Sequence, residues 1–250
     1  MSQPDRALPL LWRHASPAPE GPKRGPRQKV TVDEVVDAGI EVADREGLDA
    51  VSMRGLAQHL GLGAMTLYTY VPGRNELITL MVDQVLGRTA LPEPPGDIRA
   101  RLTAVAEVQY AEYTAHPWLL EVGGLRPWLG PHSADRYEWQ LAAIDGLVLD
   151  DLEMDQTVAL LNGHAAGAAR ARHAVRLAER ESGMTEMEWW EANAETLGEL
   201  MAGRDYPLAA RVGTAAGEAY QAASDPEREF DFGLARIVDG LMDHLAHKQR

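Results

Sequence analysis

Residues 47–71 read GLDAVSMRGLAQHLGLGAMTLYTYV, and the spacing of glycine and apolar side chains in this stretch decides the fold around it. Ser52 is a helix-capping residue, and MRGLAQHL after it forms a short helix that stops at Gly61. Three residues, Gly61-Leu62-Gly63, separate it from a second helical run, AMTLYTY. Two short helices across a glycine-containing turn of this length make the helix-turn-helix pattern, whose first helix crosses a duplex backbone and whose second enters the major groove. In the second helix Leu67 and Val71 turn back onto the preceding helices. Ala64, Met65, Thr66, Tyr68, Thr69 and Tyr70 are left facing outward.

Working outward, Thr31-Val-Asp-Glu34 is a capping box that opens a helix with Val32, Val35, Val36, Ile40 and Ala43 on one face, ended by Gly47. Downstream, Val71-Pro72-Gly73 breaks the chain before a longer apolar helix carrying Leu77, Leu80, Met81, Val82 and Val85. That helix runs out near Gly87. Residues 1–29 hold six prolines without any apolar period, which points to a disordered, partly basic arm over 1–27. The proline-rich LPEPPG at 91–96 marks a domain boundary. It separates a helix-turn-helix domain at 28–88 from a larger domain at 97–250. Helical periodicity continues there, with expected helices from Ile98 to His116, Ala134 to Leu149, Met154 to Glu181, Glu186 to Ala202 and Glu229 to His247. The fold class is all-α, with nine or ten helices expected.

Composition narrows the function classes. The 250-residue chain is 45% hydrophobic and has no cysteine, so it can bury a core but has no disulfides, thiolate zinc sites or cysteine nucleophiles. No stretch approaches the ~18 apolar residues of a membrane span, and the expected setting is cytoplasmic. The net charge of −14 argues at first against a partner made of phosphates. Its distribution reverses that: residues 1–90 hold 10 basic and 11 acidic side chains, so the acidity belongs to the C-terminal part. Lys23, Arg24, Arg27 and Lys29 lie in a stretch with no acid, as do Arg54 and Arg74. An enzyme finds little support. His244-x-x-His247 stands near the end of the chain, and no Glu-x-x-His pair or glycine-rich phosphate loop occurs. No metal or cofactor is expected.

The stretch from Gln28 to Met81 resembles the tetracycline-repressor (TetR) family of transcription regulators. The resemblance is carried by the helix before GLDAVSMRGLAQHLGLGAMTLYTYV, by that segment with its Leu-Tyr core, and by PGRNELITLM after it. A closing helix, FDFGLARIVDGLMDHL, resembles the end of the family's C-terminal domain. The longer N-terminus and the Met-Thr pair in the second helix depart from the family pattern. Membership implies a repressor released from operator DNA by a small molecule, and a homodimer built through a four-helix bundle. The alternative is a DNA-binding regulator controlled by a protein partner, or an activator, without a small-molecule effector.

DNA contact is expected from Thr31, Ser52, Met53, Arg54, Gly63, Ala64, Met65, Thr66, Tyr68, Thr69, Tyr70 and Arg74, with Lys23 and Arg24 of the arm. Thr66 and Thr69 suit base edges or phosphates, and Ala64 and Met65 a thymine methyl. Tyr70 and Arg74 match phosphate-contacting positions of the family, and Arg54 one that reaches a guanine or phosphate. Thr31 and Ser52 present helix N-termini, which attract phosphate, although capping alone also explains them. Surface charge likewise explains Arg74, and solubility the basic arm.

In the larger domain the candidate ligand residues are His116, Trp118, Trp128, Tyr137, Trp139, Asn162, His164, Arg170 and Trp190. Their aromatic content favours an amphipathic or aromatic effector. Core packing remains an alternative for each, and an exposed or lid-like segment for Trp189-Trp190. The candidate dimer surface combines Gly163, Ala166 and Gly167 with the stripe Phe230, Leu234, Ile237, Leu241 and Leu245. Packing within one chain is the competing explanation of the small residues.

Overall fold

The computed structural model describes residues 6–15, 29–93, 96–122 and 129–248. They form eleven α-helices and no strand. The helices of the smaller domain follow from local signals. α2 (Val32–Glu46) opens on the reciprocal Thr31–Glu34 capping box and ends at Gly47, whose φ of 87° suits a residue without Cβ. Ser52 caps α3 (Met53–His59) through the amide of Gly55. α4 (Ala64–Leu67) is shorter than the helical run expected, because Tyr68 to Tyr70 continue as a turn, with the amide of Val71 returning to Leu67 O at 3.1 Å. α5 (Arg74–Arg88) completes the domain and buries Leu77, Ile78, Leu80, Met81, Val82 and Val85 against α2.

The expected disordered arm is corrected in part. Residues 6–15 are folded and include a one-turn helix, α1 (Leu8–Leu11), with Pro9 in its first turn. One turn has little stability alone; packing holds it, since Ala7 and Leu11 are buried in the core of the smaller domain. Arg13 donates to Asp33 at the start of α2 and to Gln84 of α5. Trp12 Nε1 donates to Leu129 O at 2.8 Å, which ties this segment to the larger domain as well. Lys23 and Arg24 lie outside the described residues, as does Trp128.

The larger domain begins with α6 (Ile98–Ala115), capped by Asp97 and ended at His116-Pro117, where proline disfavours helix in the residue before it. A 3₁₀ turn, Pro117–Leu120, follows. α7 (Pro131–Ile144) has no capping side chain of its own. α8 (Asp151–Ser182) opens on an Asp150–Glu153 capping box. α9 (Glu186–Leu200), α10 (Pro207–Tyr220) and α11 (Pro226–Lys248) complete the chain. α10 was not foreseen: Gly213 and Gly217 weaken its helical signal. A second core unites Leu102, Val105 and Ala106 of α6 with Ile144, Val158, Leu161, Ala165, Phe230, Leu234 and Val238. No described helix is long and apolar enough to cross a membrane.

Candidate nucleic-acid interface and internal cavity

α4 has one side chain in the core, Leu67, which is fully buried. Around it Gly63, Ala64, Met65, Thr66, Tyr68 and Thr69 are exposed, and Met65 reaches 80% exposure. Met65 and Tyr68 are thus large side chains left in water on a short helix. Val71 and Leu67 set the angle of the helix from below. Arg54 and Ser52 at the start of α3 are exposed on the same unit, and so is Thr31 at the start of α2. Tyr70 is half-buried against the core.

Two expected contacts need correction. Met53 is buried, because the first turn of α3 packs its side chain into the small-domain core, and it has no surface to offer a duplex. Arg74 turns inward: Nε donates to Val51 O at 2.8 Å and Nη2 to Leu48 O at 2.7 Å. Its guanidinium binds carbonyls at the two ends of the 3₁₀ turn Leu48–Ala50 and so fixes the entry to α3.

A cavity of about 420 Å³ lies between α5, α6, α7 and α8, within the size range of small-molecule sites. Val82, Leu86 and Leu119 give it apolar surface, and Gln109, Glu112, Tyr113, Ser133, Arg136, Tyr137, Gln140 and Asn162 give it polar groups. Glu112 and Arg136 form a buried ion pair at 2.8 Å. Burial raises the Tyr113 hydroxyl above its ordinary pKa, and the Glu112 charge adds to the effect. Gln140 donates to Asn162 at 2.9 Å.

Two of the nine ligand candidates, Tyr137 and Asn162, line this cavity. Of the others, Trp128 lies outside the described residues and six lie away from this cavity. His116 Nδ1 and Trp118 Nε1 both meet Asp44 Oδ1 of α2 at 2.7 Å, so they join the two domains. Trp139 donates to Pro92 O, and Arg170 to Leu120 O. His164 stacks on Phe230 and contacts its carbonyl at 2.8 Å. Trp190 is exposed on α9. The residues that sequence reading missed are polar ones on α6 and α7. The Gln109-x-x-Glu112 and Arg136-x-x-x-Gln140 spacings place them on faces that otherwise pack, which was the available signal.

Three of the five residues of the expected dimer stripe on α11 are corrected too, and Ile237 and Leu241 stay half-buried. Phe230, Leu234 and Leu245 are buried within their own subunit, and Ile237 and Leu241 pack partly against the same core. Gly163 and Gly167 face open space on α8, with Ala166 half-buried beside them. Leu152 and Leu160 of α8 and Phe232 of α11 are exposed.

The chain matches two family models. One, described as bacterial regulatory proteins of the tetR family, covers residues 35–80; the other, described as tetracyclin repressor-like, C-terminal domain, covers residues 91–245. The HTH-type transcriptional repressor DrrR1 of Streptomyces coeruleorubidus is 40% identical over 247 residues, 98% of this chain and 87% of that protein. Apo ActR from Streptomyces coelicolor superposes with a TM-score of 0.69 at 26% identity, over 89% of this chain and 99% of that one. ActR in complex with actinorhodin gives 0.66 at 27% identity, over 85% of this chain and 95% of that one.

Proposed function

Because the chain belongs to the tetracycline-repressor (TetR) family of transcriptional regulators, we propose that it is a repressor which holds a palindromic operator as a homodimer and leaves it when a small molecule fills the cavity between α5 and α8. It is a helix-turn-helix regulator, and not an enzyme. The observation that carries the reading is α4: a helix anchored by Leu67 and otherwise turned to solvent, with Met65, Thr66, Tyr68 and Thr69 exposed and so free to meet a groove.

Dimerisation is supported by what one subunit leaves uncovered. Leu152, Leu160, Gly163 and Gly167 on α8 and Phe232 on α11 form apolar or small surface that lets helices of a second copy approach. α9 and α10 bury no residue and expose Trp189, Trp190, Leu197, Leu200 and Leu208. One reading head makes few base contacts, so two half-sites are needed for useful specificity.

The effector reading is supported by the cavity's mixed lining, and by a neighbour of the same fold, ActR, whose complex with actinorhodin has been solved. An amphipathic or aromatic molecule suits that lining. Since α5 belongs to the reading head and also walls the cavity, ligand and operator weaken one another reciprocally. A mobility-shift titration of the full chain on the DNA flanking its own gene tests the reading. Retardation that survives random competitor at moderate salt, and that a cavity ligand reverses, is expected. No preference for any duplex over random competitor contradicts it.

A further inference from the structure

α4 and its continuation to Tyr70 read AMTLYTY, a run without an amide, carboxylate, guanidinium or ammonium side chain. The paired hydrogen bonds by which side chains identify a base, those of Arg or Lys on guanine and of Asn or Gln on adenine, are therefore not available to this helix. Its polar side chains are hydroxyls. A hydroxyl both donates and accepts, so Thr66 and Tyr68, exposed on the reading head, pair with either kind of base edge. Thr69 gives its proton to Thr66 O at 2.7 Å. It is left an acceptor, which the amino groups of adenine and cytosine suit equally.

Discrimination by α4 then falls to an apolar group. With 3.6 residues per turn, positions 65 and 67 stand about 200° apart around a helix, so the burial of Leu67 in the core of the head aims Met65 away from that core. At 80% exposure Met65 is the most exposed large apolar side chain among the described residues. Its unbranched thioether has a reach that the Cβ of Ala64 lacks, and it adapts to the shape it meets. On base-pair edges in the major groove the apolar feature is the C5-methyl of thymine. We propose that Met65 is the specificity-determining residue of α4, and that it selects thymine in each operator half-site by covering that methyl. This rests on the reading of the chain as an operator-binding repressor.

The test uses the full chain and the duplexes it selects from a random library by mobility shift. In the tightest duplex each thymine is exchanged for uracil, symmetrically in both half-sites, which removes the methyl and leaves every hydrogen-bonding group of the base edge in place. One methyl-sized group returned to water is worth about 4-fold in affinity. Separate positions add, so at least one symmetric pair of exchanges should weaken binding by about 16-fold. Met65→Ala, measured at a salt concentration low enough to keep its binding detectable, should bind the thymine duplex less tightly than the parent chain does. It should no longer distinguish uracil from thymine at that pair. The uracil series needs no variant, so it decides the matter even where the substitution impairs folding. Selected duplexes without thymine in the half-sites, uracil duplexes that all bind as tightly as the thymine one, or a thymine preference that survives Met65→Ala would each overturn the proposal while operator binding stands. Wild-type protein that selects no duplex at all removes the wider reading.

Discussion

Asp83, on the last helix of the DNA-binding domain, caps the first turn of α7 in the other domain: its Oδ1 accepts the Ser133 amide and the Ser133 hydroxyl, both at 3.1 Å. Its Oδ2 meets His132 Nδ1 at 3.0 Å. α7 carries no cap of its own, so the helix that holds Arg136 is finished by a residue of α5. Gly130 allows the approach, because a Cβ there would lie 2.0 Å from Asp83 Oδ1.

Replacing Asp83 with alanine should therefore act on both domains. Loss of a capping carboxylate costs about 1 kcal/mol, in a range of roughly 0.5–2 kcal/mol, and urea unfolding should show at least that. The variant should still bind operator DNA and cavity ligand separately while ligand releases DNA less effectively, which mobility shifts with and without ligand measure. Unchanged stability and unchanged release would remove Asp83 from the connection between the domains.

Arg74 separates a structural role from a phosphate contact. With two N–H groups committed to Val51 and Leu48 carbonyls, Arg74→Met should lower stability by about 1–3 kcal/mol. Thermal unfolding reads this directly. A residue that touches phosphate alone would leave the melting temperature in place and reduce the salt slope of binding by about 1.

Met65 and Leu67 stand two residues apart with opposite burdens. Met65→Ala should change stability by no more than about 0.5 kcal/mol, as is usual for an exposed site, while altering operator affinity. Leu67→Ala should cost about 2–5 kcal/mol through the cavity left under α4. Paired unfolding and DNA-binding titrations distinguish them; a Met65 variant with unaltered affinity for every operator base would take that side chain out of the groove.

Acid sensitivity should appear at the α8–α11 contact. The hydrogen bond from Lys248, followed by that from the Asp150 amide, lowers the pKa of Glu153 from 4.5 to about 2, and His244 adds to the effect. A depressed folded pKa gives stability that is present above pH 4.5 and lost as pH falls toward 2. Glu153→Gln should remove this part of the pH dependence between those values, and the variant should be less stable than the parent chain at neutral pH and approach it as pH falls toward 2. A pH profile identical to the parent's would contradict it.

The reading head was legible because its elements are closed by local chemistry: Thr31 with Glu34, Ser52 with Gly55, and Gly47 with its positive φ. The residues around Leu8 were not, since one helical turn has no period to detect and is held by distant partners, Asp33, Gln84 and Leu129. On α11 the apolar stripe was visible, but periodicity reports that a face is covered and not by whom; Phe230 and Leu234 turned out to serve their own subunit. The cavity was the least legible part. Aromatic content is a poor guide to it: His116 and Trp118 join the domains through Asp44, and the polar wall comes from Gln109, Glu112, Arg136 and Gln140 brought together by packing of α6 on α7.

On the proposed function, α4 of two identical subunits reads one palindromic operator. Affinity for a full operator against an isolated half-site, measured by mobility shift with the same flanking DNA, tests it most directly. The full palindrome, with half-sites one helical turn or ~35 Å apart on one face of the duplex, should bind far more tightly. Equal affinity for the half-site would contradict the account.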